Sequence, residues 1–365
     1  MGTYSGIAWD AISLIPAGLS IIAASGAIKR LFRRENMRRS NNAAEAKALV
    51  IMPCKGEDIR FEDTLEAVKA QGYRDYKIVA VTDSDEDPAY ALLAKHGIET
   101  VITDKALLEN TDCSGKNRAV ITALNLYSDA FDIFVVLDSD TTVGVDWLGL
   151  LAAPLMADER IGLTTTFPLF YPLSGFWSKV KTVWGLAGIG MQDDERTIFA
   201  WGGSMAFKSS MIKAAIRELS NSTADDIALG KACKELGLKI AAVSNARPTV
   251  YVNETFKTFA EWSVRQTALS ILGNRNVFTY GIAYYSAFCV NDLALLYLLY
   301  LSSPLALLFA LPVLISVIGF YVQTKMRSPI YCIIVALMPL VYMADLIAGR
   351  RTKRIRWRGA EYRLA

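Results

Sequence analysis

The stretch "DIFVVLDSDTTV", residues 132–143, decides the fold. An unbroken apolar run, Ile133–Leu137, stops abruptly at Asp138, Ser139 and Asp140. Apolar residues without polar alternation suit a strand covered on both faces, as in a parallel sheet. Its neighbours agree. "KALVIMP" (47–53) is a second such run, followed by "FEDTLEAVKAQG" (61–72), which has helical spacing and a stopping glycine. "YKIVAVT" (76–82) is a strand ending in the acidic "DSDED", then come helical "DPAYALLAKHG" (87–97) and extended "IETVIT" (98–103). "SGKNRAVITALNLY" (114–127) opens a helix just before the decisive strand. The alternation predicts an α/β fold with a mainly parallel sheet and helices on both faces. Ligands of such sheets bind at the carboxyl ends of the strands, where the polar clusters after 53, 82 and 137 all fall.

Downstream the pattern loosens. "TTTFPLFYPLSGFWSKVKTVWGLAGIGMQ" (164–192) is aromatic and suited to a membrane surface, while "TIFAWGGSMAFK" (197–208) reads as strand, Gly-Gly turn, strand. "ADDIALGKACKELG" (224–237) is a helix with acids at its start, and "LKIAAV" (238–243) a strand.

The 365 residues exceed what one compact core usually covers. Apolar residues make up 53% of the chain, and the excess is local. "IAWDAISLIPAGLSIIAASGAI" (7–28) has the length a bilayer core requires, and basic residues follow it, so it reads as an uncleaved anchor. "LALLYLLYLSSPLALLFALPVLISVIGFYV" (293–322) and "IYCIIVALMPLVYMADLIAG" (330–349) read as further membrane segments. The basic stretches "KRLFRRENMRR" (29–39) and "RRTKRIRWR" (350–358) carry most of the asymmetry in a chain of net charge +3. Hard against apolar runs, they suit a cytoplasmic face and anionic headgroups rather than nucleic acid. With both stripes on one side, an even number of crossings is required, so the piece 281–302, with Asn291 and Asp292, is expected to be interfacial or re-entrant. The implied organisation is an anchor (1–30), a basic linker (31–46), a cytoplasmic α/β domain (47–255), an interfacial segment (256–280), hydrophobic segments (281–349) and a basic tail (350–365). Five cysteines without a CxxC pair and a single histidine, His96, fit a reducing compartment and exclude a His-rich metal site.

Asp138 and Asp140 are two hard oxygen donors fixed at a sheet edge. On their own they fit Mg²⁺ or Mn²⁺ shared with substrate phosphates, or a solvated turn, equally well. The wider set separates the two. "IMPCKGED" (51–58), "VTDSDEDPA" (81–89), "SGKNRAV" (114–120), "VVLDSD" (135–140), "WGGSMAFK" (201–208), "ADDIALGKA" (224–232), "EWSVRQ" (261–266) and "RWRGAEY" (356–362) occur in this order. In them the chain resembles membrane-anchored family-two glycosyltransferases with a GT-A fold, most closely the ceramide glucosyltransferase-like branch.

That resemblance implies roles residue by residue. Asp83 would contact the nucleotide base, with Lys55 and Glu57 near base and ribose, and Lys116 the donor phosphates. Asp138 and Asp140 would hold the divalent metal, Mg²⁺ or Mn²⁺, on the donor diphosphate. Of the pair Asp225 and Asp226, the second would be the catalytic base, and a helix-capping acidic turn is the competing role for Asp225. Arg265 would hold the departing diphosphate. The family's Gln-x-x-Arg-Trp is replaced by Trp262-Ser263-Val264-Arg265-Gln266, which leaves the roles of the flanking positions open. Trp201, Gly202, Gly203, Trp262 and Trp357 would face the acceptor, with core packing the alternative for Trp201 and a lipid-facing role the alternative for Trp357. The implied reaction is inverting transfer of one hexose, from a UDP-linked donor, to a membrane lipid hydroxyl. A polyprenyl-phosphate sugar synthase, a processive polysaccharide synthase and an inactive membrane binding protein are the rivals. A transporter is disfavoured by the absence of a phosphate-binding Gly-x-x-x-x-Gly-Lys-Ser/Thr loop.

Overall fold

The computed structural model describes residue 18 and residues 46–108, 113–192, 197–274, 276–357 and 360–363. The apolar run 7–28 and the basic stretch 29–39 therefore lie outside the described residues, residue 18 excepted. In chain order the elements are β1 (Ala48–Pro53), α1 (Phe61–Lys69), β2 (Tyr76–Thr82), α2 (Pro88–Lys95), β3 (Glu99–Ile102), α3 (Lys105–Leu108), α4 (Gly115–Tyr127) and β4 (Ile133–Leu137). Next come β5 (Thr141–Thr142), α5 (Trp147–Ala157), β6 (Ile161–Thr165), β7 (Leu169–Pro172), α6 (Phe176–Gln192), β8 (Ser204–Lys208), α7 (Ile212–Ser220) and α8 (Asp225–Glu235). The chain closes with β9 (Lys239–Ala242), β10 (Thr249–Val252), α9 (Phe256–Gly273), α10 (Asn276–Tyr300), α11 (Ala306–Thr324), α12 (Ile330–Arg351), β11 (Arg354–Trp357) and β12 (Ala360–Arg363).

The sheet runs β3-β2-β1-β4-β8-β6-β9. β3, β2, β1 and β4 are parallel, β8 is antiparallel to both β4 and β6, and β9 is parallel to β6. The continuous apolar strands are explained by cover on both faces. Ala48, Val50 and Met52 pack with α1, α2 and α5, whereas Leu49 and Ile51 point the other way, among α4, α7 and α8. Phe134 stacks on Phe207 across the β4–β8 pair at 5.9 Å.

Trp147 opens α5 fully buried, and its indole Nε1 donates to Ser204 Oγ at 2.8 Å. Trp147→Phe removes that donor and part of the ring, so about 1–3 kcal/mol of stability should be lost. A lower urea midpoint with an unchanged slope would show it.

One expectation is corrected. The stretch 197–203 forms no strand; only Ser204–Lys208 does. Thr165 Oγ1 takes the Trp201 N–H, and the Ser204 N–H turns back onto the Trp201 carbonyl, so this backbone bends instead of pairing. The apolar run 293–322 divides where the piece 281–302 was expected to end. It breaks at 301–305, where Ser302 adopts φ +53° and Pro304 follows, leaving α10 and α11 on either side.

Among the described residues three helices, α10, α11 and α12, are long and apolar enough to cross a membrane. Asn291 and Asp292 do not interrupt α10, whose 25 residues span about 37 Å. Asn291 is fully buried and its Nδ2 donates to the Phe309 carbonyl of α11 at 3.0 Å, so its amide serves helix packing. The segment 164–192 contributes β7 and then α6, which packs against α9 and α12.

Candidate active site

Sheet topology brings the polar clusters to one edge. Asp83 follows β2, Asp138 and Asp140 follow β4, and the N-terminus of α4 points the same way, capped by Ser114, whose side chain accepts the Asn117 N–H. Together they line a cavity of about 1330 Å³, which also takes in Asp225, Asp226 and Arg265.

Lys116 is the hub. Its Nζ lies 2.6 Å from Asp138 Oδ1 and 3.0 Å from Asp225 Oδ2, and donates to the Gly202 carbonyl at 3.1 Å. Burial by itself would lower the pKa of this ammonium, but Asp138 and then Asp225 outweigh it and hold it above the ordinary lysine value. With Asp226 beside them, one ammonium faces three carboxylates. The surplus of negative charge favours a further cation.

Asp138 and Asp140 offer oxygen atoms only, and Asp138 keeps a third of its side chain exposed at the cavity. Such a set fits Mg²⁺ or Mn²⁺, whose remaining positions are commonly filled by water and phosphate. Among the described residues no group of three or more His, Cys, Asp and Glu side chains is arranged to hold a metal ion by itself.

The glycine pair lies under this cluster. A Cβ on Gly202 would stand 2.6 Å from Asp225 Oδ1, and one on Gly203 would stand 2.2 Å from Trp201 Cη2. Trp201 packs at 5.9 Å from the Phe167 ring and also lines the cavity. Gly202→Ala should displace the Asp225 carboxylate from Lys116 and cost about 1–3 kcal/mol, seen as a lower thermal midpoint together with weaker donor binding.

Asp225 and Asp226 occupy the first turn of α8, whose N-cap is Ala224 with no side-chain cap. Neither aspartate is the N-cap, yet both carboxylates stand in the first turn, where the helix dipole favours them. The Ile227 N–H goes to Asp226 Oδ1 at 2.7 Å, while Asp225 is committed to Lys116. Burial, followed by the neighbouring Asp225 charge, pushes Asp226 up to about 7. Burial also raises Asp225, and Lys116 opposes that rise.

In the first loop Lys55 pairs with Asp83 at 3.3 Å, and both line the cavity. Glu57 is exposed and is not among the cavity residues. The loop is held from below by Ser139 Oγ, which donates to Asp58 Oδ2 at 2.5 Å, and by the Gly56 N–H on Asp87 Oδ1 at 2.8 Å. Arg265 and Trp262, both on α9, reach the cavity. Trp357 ends β11, and its side chain lies outside those described. From the tail hairpin, Ile355 and Tyr362 line the cavity.

The sequence did not point to Lys181. It is buried on α6, its Nζ lying 2.6 Å from Glu254 Oε1 and 4.1 Å from the centre of the Trp262 ring. Burial lowers the Lys181 ammonium's pKa, with Glu254 opposing. The only available signal was two lysines inside an aromatic helix, and Lys179 shares it. From the α9 end the cavity continues between the apolar helices, past Tyr284, Val313 and Pro339.

The sequence model of glycosyl transferase family 21 matches residues 17–365. No curated protein matches the chain. Among solved structures, the chain is similar to the mannosyltransferase PcManGT of Pyrobaculum calidifontis in complex with GDP-Man and Mn²⁺. Identity is 14%, 93% of this chain and 97% of the other are covered, and the TM-score is 0.52. It is also similar to glucosyl-3-phosphoglycerate synthase of Mycobacterium tuberculosis in complex with Mn²⁺, UDP and phosphoglyceric acid. There the identity is 17%, the coverage 66% and 84%, and the TM-score 0.46. The first likeness extends over nearly all of both chains and shows a shared fold, of the GT-A type.

Proposed function

The chain belongs to glycosyl transferase family 21, and we propose that it transfers a single hexose from a UDP-linked donor to a membrane lipid hydroxyl, with inversion, as a ceramide glucosyltransferase-like enzyme. One observation carries this reading. The cavity is continuous from the carboxylate cluster into the space between the helices long enough to cross a membrane. A lipid seated among Tyr284, Val313 and Pro339 would keep its tail in the apolar limb and bring its head to the sheet edge.

In the proposed mechanism Asp83 and Lys55 receive the nucleoside, and Asp138 and Asp140 hold the divalent ion. When bound, that ion neutralises the donor diphosphate and makes it a better leaving group. Lys116 keeps Asp138 and Asp225 in place, and Arg265 takes up charge on the departing diphosphate through charge-assisted hydrogen bonds. Asp226 accepts the proton of the acceptor hydroxyl as its oxygen attacks the anomeric carbon. The displacement is direct, so configuration inverts and no protein nucleophile is required. In this proposal the α/β domain faces the cytoplasm, on the strength of the basic residues of the tail 350–358, whose hairpin lines the same cavity.

The test is to incubate the detergent-purified chain with Mn²⁺, a panel of labelled nucleotide sugars and a lipid extract, and to identify the product by mass spectrometry. A glycolipid with an acid-stable, inverted linkage to a lipid hydroxyl is expected. An acid-labile sugar phosphodiester would replace this reading with a polyprenyl-phosphate synthase, and long polymers would replace it with a processive one.

A further inference from the structure

We propose that Asp345, on the last of the three long apolar helices, is a positioning residue that sets the roll of α9 and so aims Arg265 into the cavity. The inference rests on the reading of Arg265 as the group that takes up the diphosphate. Asp345 is buried and does not line the cavity, so it acts only through its neighbours. Its Oδ1 accepts from Ser263 Oγ of α9 at 3.0 Å, and its Oδ2 accepts from the Trp184 indole of α6 at 2.8 Å. One carboxyl group thus ties three helices together.

The consequence for α9 is geometric. Successive helical residues turn by about 100°, so Ser263 and Arg265 project from nearly opposite sides of the helix. Gripping Ser263 on the α12 side therefore directs Arg265 away from α12 and toward the cavity it lines. The second bond acts on residue 262. Trp184, held by Asp345, packs edge-on against Trp262 at 4.7 Å, and Tyr342 of α12 donates to the Trp184 carbonyl at 2.8 Å. One turn beyond Asp345, a Cβ on Gly349 would stand 3.0 Å from the Ala268 nitrogen. There α12 and α9 meet at backbone distance, which limits sliding, and the Asp345–Ser263 bond limits rotation of α9 about its own axis. A buried acid on an apolar helix is costly and is usually found where it has a function; here the hydrogen bonds that satisfy it are the ones that orient the active-site helix.

Hydrogen exchange and initial rates on the full-length protein in detergent test this. Asp345→Leu should speed amide exchange at least about tenfold within 256–273, leaving 48–53 and 133–137 at wild-type rates. Its turnover with labelled UDP-hexose and lipid extract should fall about ten- to a hundredfold, as expected for a misplaced charged group. Asp345→Asn, isosteric and able to keep one of the two bonds, should be intermediate in both measurements and guards against a failure to fold. Ser263→Ala combined with Asp345→Asn should be less than additive in turnover. Exchange that rises equally in the sheet, or is unchanged in 256–273, overturns the proposal. So does wild-type turnover of both Asp345 variants while Arg265→Ala is inactive. An active Arg265→Ala enzyme would instead remove the reading of Arg265 on which the proposal stands.

Discussion

Asp226→Asn should reduce transfer by roughly 10²–10⁴-fold, the range a lost general base commands, while leaving UDP affinity within a factor of two. Asn keeps the shape of the residue and the oxygen that accepts the Ile227 N–H, so α8 should start as before. It cannot take a proton. In the proposed mechanism the donor is held elsewhere, through Asp83, Lys55 and Asp138, so the change should leave its binding alone. The pH profile supplies the second half of the prediction. Asp226 is pushed up to about 7, first by burial and then by the Asp225 charge. A base works only when deprotonated, so the wild-type rate should fall about tenfold per pH unit below 7 and level off above it, and this acid limb should vanish in Asp226→Asn. A variant that turns over within threefold of wild type, measured at pH 8 with saturating donor, would assign the proton transfer to another group.

How far the site was legible in the sequence depended on whether a residue's position follows from its own strand. Asp138 and Asp140 end an apolar run, and Asp83 ends another; parallel pairing of β1 with β2 and β4 carries all three to one edge. The antiparallel insertion of β8 between β4 and β6 left no mark, since a short apolar strand looks alike in either direction. The Gly202-Gly203 pair was legible as a place of close approach. What it approaches, Asp225 and Trp201, is a tertiary fact. Lys181, Asp345 and Trp184 were illegible for the same reason. A lone charge or indole in an apolar helix gains its meaning from the helix facing it, and pairs such as Trp184 with Asp345 lie 161 positions apart. The break at 301–305 was legible as Ser302-Ser303-Pro304 between two leucine-rich runs.

Lys116→Met should be the most damaging single change to the cluster. Lys116 and Asp225 each keep only 9% of their side-chain surface, and Asp138 keeps 33%. Methionine fills the volume of the lysine stem but leaves Asp138, Asp225 and Asp226 with no ammonium among them. Breaking a buried pair by removing one partner typically costs about 3–5 kcal/mol, and the lower end applies because Asp138 still reaches water. The sign with pH distinguishes this from a packing defect. Without Lys116 the largest influence that lowers Asp225 is gone, so its folded-state pKa rises further above the unfolded one. A carboxyl group raised in the folded state contributes stability below its unfolded pKa and loses it as pH rises through the folded value. The variant's deficit in thermal midpoint should therefore shrink as the pH is lowered from 8 toward 5. Donor binding should fall with it, because the glycine turn loses the Lys116 bond to the Gly202 carbonyl. Added Mn²⁺ should restore part of the stability by supplying positive charge to Asp138 and Asp140. A deficit of the same size at every pH, untouched by Mn²⁺, would mean that the lysine matters for its packing and not for its charge.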